Sequence, residues 1–140
     1  MRIMISIPSL VRGKGGAEKT AANLANALSD MGHQVAVICN AGRDATPSYP
    51  LDPKVELMMT NYGSNNPEVQ KQVLERINKF EPEIVIIFYA DISILWQLPL
   101  FRRTKASIIV QECTGPVRGV RNLIAGMHRQ GVDLDFKAAF

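Results

Sequence analysis

Apolar and polar positions along the chain repeat with two different periods. Arg2 to Ile7 is a β-branched run that predicts a strand. Ala17, Ala21, Leu24, Ala25, Leu28 and Met31 recur at helical spacing, with Glu18, Asn23, Asn26 and Asp30 on the outer face, so a helix is expected over 17–31. Gly32 stops it. Gln34 to Cys39 reads as a short buried strand, and residues 40–53, punctuated by Gly42, Pro47, Pro50 and Pro53, as a loop. Val55 to Met59 is a weaker third strand, followed by a polar turn over 61–66. Pro67 opens a helix that runs to Phe80, with Val69, Val73, Leu74, Ile77 and Phe80 on its apolar side. Glu83 to Phe88 is nearly continuous in apolar residues, the pattern of a strand buried on both faces. A short helix over about 92–101, a fifth strand over 106–111 and a basic helix over 117–129 complete the pattern, with 131–140 as a tail.

Strands alternating with helices predict one α/β domain over 1–140, an open parallel Rossmann-like sheet with helices on both faces and strand order 3-2-1-4-5. In such sheets ligands bind at the carboxyl ends of the strands, beside the switch point between the first and fourth. The glycine-rich stretch from Gly13 to Gly16 belongs there, as do Phe88 to Asp91 and Gln111 to Thr114. Cys39 and Cys113 then end strands three ladder spacings apart, at about 4.8 Å each, too far for a disulfide whose Cα atoms must lie within about 7 Å.

Composition narrows the class without naming it. The 140 residues carry a formal charge of +3, which accommodates an anionic ligand or membrane surface and requires neither; no nucleic-acid partner is expected. No apolar run reaches the ~18 residues of a membrane span, and the opening run ends too soon, at Pro8, for a signal peptide. Two cysteines make neither a disulfide framework nor a zinc site, so no metal is expected and a cytoplasmic protein is.

The chemistry concentrates in the turn between the first strand and the first helix. Its glycines let the backbone turn sharply and let a ligand approach the amides, and the helix start favours an anion such as a phosphate. The dinucleotide pattern G-x-G-x-x-G fails, because Glu18 stands at the third glycine position. Lys14 to Thr20 looks like the loop of partitioning-type ATPases, but Glu18 again replaces the glycine that curls around phosphate, and the fourth strand ends at Phe88 without the acid expected on the Mg²⁺ side.

A third pattern fits in order along about the first 115 residues. Ile7-Pro8-Ser9-Leu10, Gly15-Gly16-Ala17-Glu18, Leu24-Ala25-Asn26-Ala27-Leu28 and Gly32-His33-Gln34-Val35 resemble the N-terminal domain of family 4 glycosyltransferases of the GT-B fold. Tyr49 to Val55 looks like that family's approach to its third strand, Glu81 to Val85 like its entry to the fourth, and Ile108 to Thr114 like its fifth strand end. The resemblance implies an acceptor-side domain facing a C-terminal domain that holds the donor, a nucleotide-diphosphate sugar. It also implies retaining transfer without an essential metal, and inactivity of this chain alone. Gly15, Gly16 and Ala17 would touch the donor diphosphate. Where the family often has Glu-His, this sequence has Glu112-Cys113, and a neutral thiol is a poor hydrogen-bonding substitute, so packing and chemistry both stay open for Cys113.

Asp91 and Glu112 fall at the expected cleft, as binders of an acceptor hydroxyl or as strand-end caps. The acceptor would be a sugar, glycan or lipid-linked sugar. His33 reads as a turn residue, and Trp96 as core before sugar platform. Arg102, Arg103, Lys105, Arg118, Arg121 and Arg129 form a solvated basic surface or face an anionic membrane at its inner side. A P-loop ATPase and a non-catalytic binding domain remain as alternatives.

Overall fold

The computed structural model describes residues 1–11, 15–41, 45–88, 93–113, 116–129 and 131. Among them the chain forms β1 (Arg2–Ser6), α1 (Gly16–Asp30), β2 (Gln34–Asn40), β3 (Glu56–Thr60), α2 (Pro67–Phe80), β4 (Ile84–Phe88), α3 (Ile94–Phe101), β5 (Ser107–Gln111) and α4 (Pro116–Arg129). The five strands are all parallel, in the expected order β3-β2-β1-β4-β5. The switch point falls between β1 and β4, where Ser6 pairs with Ile87.

Helix ends follow local chemistry. α1 begins one residue earlier than its periodicity suggests, and its last turn closes on Gly32, whose φ of 85° suits a residue without Cβ. His33 then donates its amide to the Leu28 carbonyl at 3.1 Å, so it is the turn residue expected. Met31 falls just past the helix and is 71 % exposed, outside the apolar stripe it was assigned to. α2 is capped by Asn66, whose side chain accepts from the Glu68 amide at 3.0 Å, with Pro67 in the first turn.

Side chains of successive strand residues point to opposite faces, which divides the core in two. On one face Met4, Ala36, Ile38, Val85 and Ile87 pack against Val73 and Ile77 of α2 and Leu100 and Phe101 of α3. On the other, Ile5, Val35, Val37 and Cys39 pack against Ala21 and Ala25 of α1. β1 and β2 are thus covered on both sides. β4 is covered fully on one only: Ile84 and Ile86 are half-buried, because Ile86 sits at the margin of the α1 cluster. β5 is an edge strand with Ile109 and Val110 exposed.

Candidate functional site

The sequence places its glycine-rich turn at the carboxyl edge of the sheet, and the structure ties both flanks of that turn down. Beyond β1 the chain continues alongside β2: the Ile7 amide donates to the Ile38 carbonyl, and the Asn40 amide to the Pro8 carbonyl, both at 3.1 Å. The Leu10 carbonyl accepts from the Ser48 amide at 2.8 Å. On the far side the Tyr49 hydroxyl donates to the Gly15 carbonyl at 3.3 Å. Residues 48–52, expected only as loop, therefore form a strap that joins the two flanks of the turn at Leu10 and Gly15. Asn26 holds the strap, donating to the Pro50 carbonyl at 3.1 Å and accepting from the Asp52 amide at 2.8 Å. Helical spacing put Asn26 on the solvent face; it is half-buried because the strap folds over it.

Gly15 is the N-cap of α1 and supplies no side chain to the first-turn amides. The first intrahelical bond runs from the Lys19 amide to the Gly15 carbonyl at 3.2 Å. The amides of Gly16 and Ala17 come before any carbonyl one turn back, so the site offers donors and the positive end of the helix dipole. The two glycines differ. The Glu18 carboxylate folds back over Gly15, into the space a Cβ there would take, whereas nothing lies within 4 Å of a Cβ built on Gly16. The Thr20 hydroxyl donates to the Gly16 carbonyl at 2.8 Å, turned down the helix. Gly13 and Lys14 of the same stretch lie outside the described residues.

The end of β5 reaches the same edge, since Phe88 pairs with Gln111. Glu112 is exposed there. Cys113 is half-buried, packs against the α1-side core, and its thiol donates to the Gln111 carbonyl at 3.6 Å. Asp91 falls outside the described residues, as do Tyr89, Ala90 and Thr114. Both cysteines are free thiols, Cys39 in β2 and Cys113 two residues past the end of β5, and β1 and β4 lie between those strands. Burial pushes the Cys39 thiol up to about 11, against a smaller opposing effect of its hydrogen bond to the Leu10 backbone.

Beneath the strand ends lies a buried polar cluster. Gln97 of α3 is its centre: its Oε1 accepts from Ser6 at 2.5 Å and from Tyr62 at 3.4 Å, and its Nε2 donates to Ser93 at 2.7 Å. The Ser6 and Tyr62 hydroxyls meet at 3.2 Å. All four residues are buried. Burial holds the Tyr62 phenol far above its ordinary range, despite the Ser6 bond. The cluster ties the end of β1, the turn after β3 and the start of α3 together below the open edge. Trp96 stands beside it, edge-on to Tyr62 with ring centroids 4.6 Å apart, half-buried against the α2–α3 core. The one sequence signal for this cluster was a single glutamine inside an apolar helix.

A broad groove lined by Arg2, His33, Lys54, Arg76 and Lys79 opens at the amino ends of the strands. That is the opposite end from the glycine turn, and ligands of open α/β sheets sit at the carboxyl ends.

The model of a family described as Glycosyltransferase Family 4 matches residues 14–110, well over half of the chain. No curated protein matches it. Among solved structures the chain is similar to sucrose-phosphate synthase from Thermosynechococcus elongatus, with a TM-score of 0.59, 15 % identity, and coverage of 83 % of this chain and 34 % of that one. It is also similar to a glycosyltransferase from Rickettsia africae ESF-5, with a TM-score of 0.56, 25 % identity, and coverage of 78 % and 28 %. The chain spans about a third of the length of these structures.

Proposed function

Because the chain belongs to glycosyltransferase family 4, we propose that it forms the acceptor-side half of a retaining transferase, which moves a sugar from a nucleotide-diphosphate donor to a glycan or lipid-linked acceptor. The observation that carries this reading is the helix start at the carboxyl edge of the sheet, where Gly16 faces open space and both flanks of its turn are strapped down. A departing nucleoside diphosphate gains negative charge as the sugar bond breaks. Fixed amides at Gly15, Gly16 and Ala17, with the positive end of α1, would stabilise that charge without a metal or other cofactor. The Glu112 carboxylate at the same edge would accept a hydrogen bond from an acceptor hydroxyl, and Asp91 is assigned the same role. Cys113, tied to a carbonyl and to the core, is given packing instead of chemistry.

The base, ribose and most diphosphate contacts are assigned to a C-terminal domain, so donor affinity here would be millimolar or weaker, about 4 kcal/mol. In this reading the chain alone is inactive and cytoplasmic, and meets a lipid-linked acceptor at the inner face of the membrane. A nucleotide-hydrolysing loop has less support: Glu18 stands where such a loop has its glycine, and Thr20 is turned to a backbone carbonyl. The test is turnover of UDP-, GDP- and ADP-sugars, with and without a family C-terminal half in cis or as a separate chain. Transfer should need both halves. Turnover of any donor by this chain alone would overturn the assignment.

A further inference from the structure

Two donors meet on one carbonyl at the start of α1. The Gly15 carbonyl accepts from the Lys19 amide at 3.2 Å, the first bond of the helix, and from the Tyr49 hydroxyl at 3.3 Å. That carbonyl and the Gly16 amide belong to the same peptide group, which is planar and trans, so they point in opposite directions. Whatever holds the carbonyl therefore aims the amide. Gly16 is exposed and a Cβ built on it meets nothing within 4 Å, whereas the Glu18 carboxylate lies over Gly15. The peptide that Tyr49 holds thus presents its amide on the open residue of the pair.

Tyr49 is placed for this by its neighbours. On one side the Ser48 amide donates to the Leu10 carbonyl at 2.8 Å. On the other the Pro50 carbonyl accepts from the Asn26 side chain at 3.1 Å, and the Asp52 amide donates to the Asn26 Oδ1 at 2.8 Å. The backbone is pinned on either side of Tyr49, to the segment beyond β1 and to α1. Hydrogen bonds in series polarise one another in a site of low dielectric. A hydroxyl that donates into the Gly15 carbonyl makes the Gly16 N–H a stronger donor, one peptide group away.

We propose that Tyr49 is a positioning residue for the donor diphosphate: its hydroxyl, through the Gly15 carbonyl, aims and polarises the Gly16 amide toward a phosphate oxygen. Tyr49 does not touch the donor; it acts through the peptide between the two glycines. The inference rests on the donor role proposed for the turn. It adds a residue from outside the turn whose hydroxyl sets the strength of phosphate binding while Gly16 stays in place. A strap that only braced the fold would show a stability cost and no effect on the ligand.

The experiment titrates the whole chain with inorganic pyrophosphate and follows the Gly16 amide by two-dimensional NMR, which reads weak binding residue by residue. In the parent chain pyrophosphate should move the Gly16 amide. Tyr49→Phe removes one oxygen and keeps the ring; it should weaken pyrophosphate about threefold or more. It should also shift the Gly16 amide proton upfield in the ligand-free chain, as a less polarised donor. Thermal melts keep stability apart from binding: the weaker affinity should persist at a temperature where both chains are fully folded. Asn26→Ala, which frees the strap, should add little to Tyr49→Phe, because both act through one contact. Should Asn26→Ala fail to fold, Tyr49→Phe decides alone. Movement of Gly16 with equal affinity in the parent and Tyr49→Phe would overturn the positioning role and leave the donor site standing. An unmoved Gly16 in the parent would overturn the donor site and this inference with it. A full further loss from Asn26→Ala on top of Tyr49→Phe would overturn the route through the hydroxyl.

Discussion

Gly15 and Gly16 are adjacent and identical in sequence, yet substitutions at the two should fail in different ways. A Cβ on Gly16 meets nothing within 4 Å, and the residue lies inside a helix with no positive φ. Gly16→Val should therefore fold with a stability within about 0.5 kcal/mol of the parent, helix propensity favouring the change slightly. Its isopropyl group projects where the donor diphosphate would sit, so the damage should appear only with donor present. Losing one aligned donor in such a site costs on the order of 10²–10³ in turnover, about 3–4 kcal/mol. A Cβ on Gly15 instead collides with the Glu18 carboxylate. Gly15→Ala should cost about 1 kcal/mol of stability with no donor present, because Glu18 must swing away and a tolerated N-cap is lost. Glu18→Ala should remove most of that cost and leave the Gly16→Val effect untouched, a coupling read from a double-mutant cycle. Thermal melts of the chain and turnover of the two-domain enzyme supply the numbers. Full activity of Gly16→Val would refute the ligand role of the turn. Destabilisation by Gly16→Val of more than about 2 kcal/mol would refute the claim that its surroundings are empty.

Gln97→Leu should cost about 2–4 kcal/mol in urea melts, because it leaves the Ser6, Tyr62 and Ser93 hydroxyls buried around an apolar side chain; a cost below about 1 kcal/mol would mean that they re-pair without it. The raised thiol of Cys39 makes stability pH-dependent on the alkaline side: the unfolded thiol ionises from about 9 and the folded one only near 11, so stability falls as pH rises between them, by up to about 3 kcal/mol. Cys39→Ala should flatten that slope, most visibly between about pH 9 and 10, below the ordinary range of Tyr62. Glu83 has its carboxyl lowered by the bond from the Arg2 amide, so its contribution is present above about 4.5 and lost as pH falls through the lowered folded value; Glu83→Gln should remove that acid-side loss. Thiol counting without reductant should find two thiols in the unfolded chain and only Cys113 reacting promptly in the folded one, since Cys39 is fully buried.

Strand order, parallel pairing and element boundaries were legible because each rests on a local period combined with the handedness of the crossovers. Pro67, Asn66 and Gly32 mark helix ends by chemistry confined to one turn. Met31 was misplaced for the same reason in reverse: its spacing continues the apolar stripe, but the helix has ended and nothing packs there. The strap at 48–52 was not legible. Its anchors, Ser48 to Leu10, Tyr49 to Gly15 and Asn26 to Pro50, are long-range hydrogen bonds with no periodic signature, and Asn26 looks like any polar residue on the outside of a helix. The fold-over of Glu18 was equally hidden. At the sequence level it reads only as a carboxylate in a glycine's place; in three dimensions it separates the roles of the two glycines beside it.

The buried glutamine of α3 marks which side of that helix faces the sheet. At about 100° per residue, positions two before and two after a given side chain lie some 160° round the helix from it. Once Gln97 turns inward to reach Ser6 and Tyr62, Leu95 and Pro99 have to face out, whatever their hydropathy. The polar cluster that braces the strand ends and the apolar stripe on the surface are thus one choice of helix rotation. Leu100 and Phe101, three and four residues on from Gln97, share its face and are buried in the core, so apolar packing sets the same rotation. Three hydrogen bonds on Gln97 add to that packing and tie the end of β1 and the β3–α2 turn to α3. The exposed leucine is therefore a fixed feature of the folded chain.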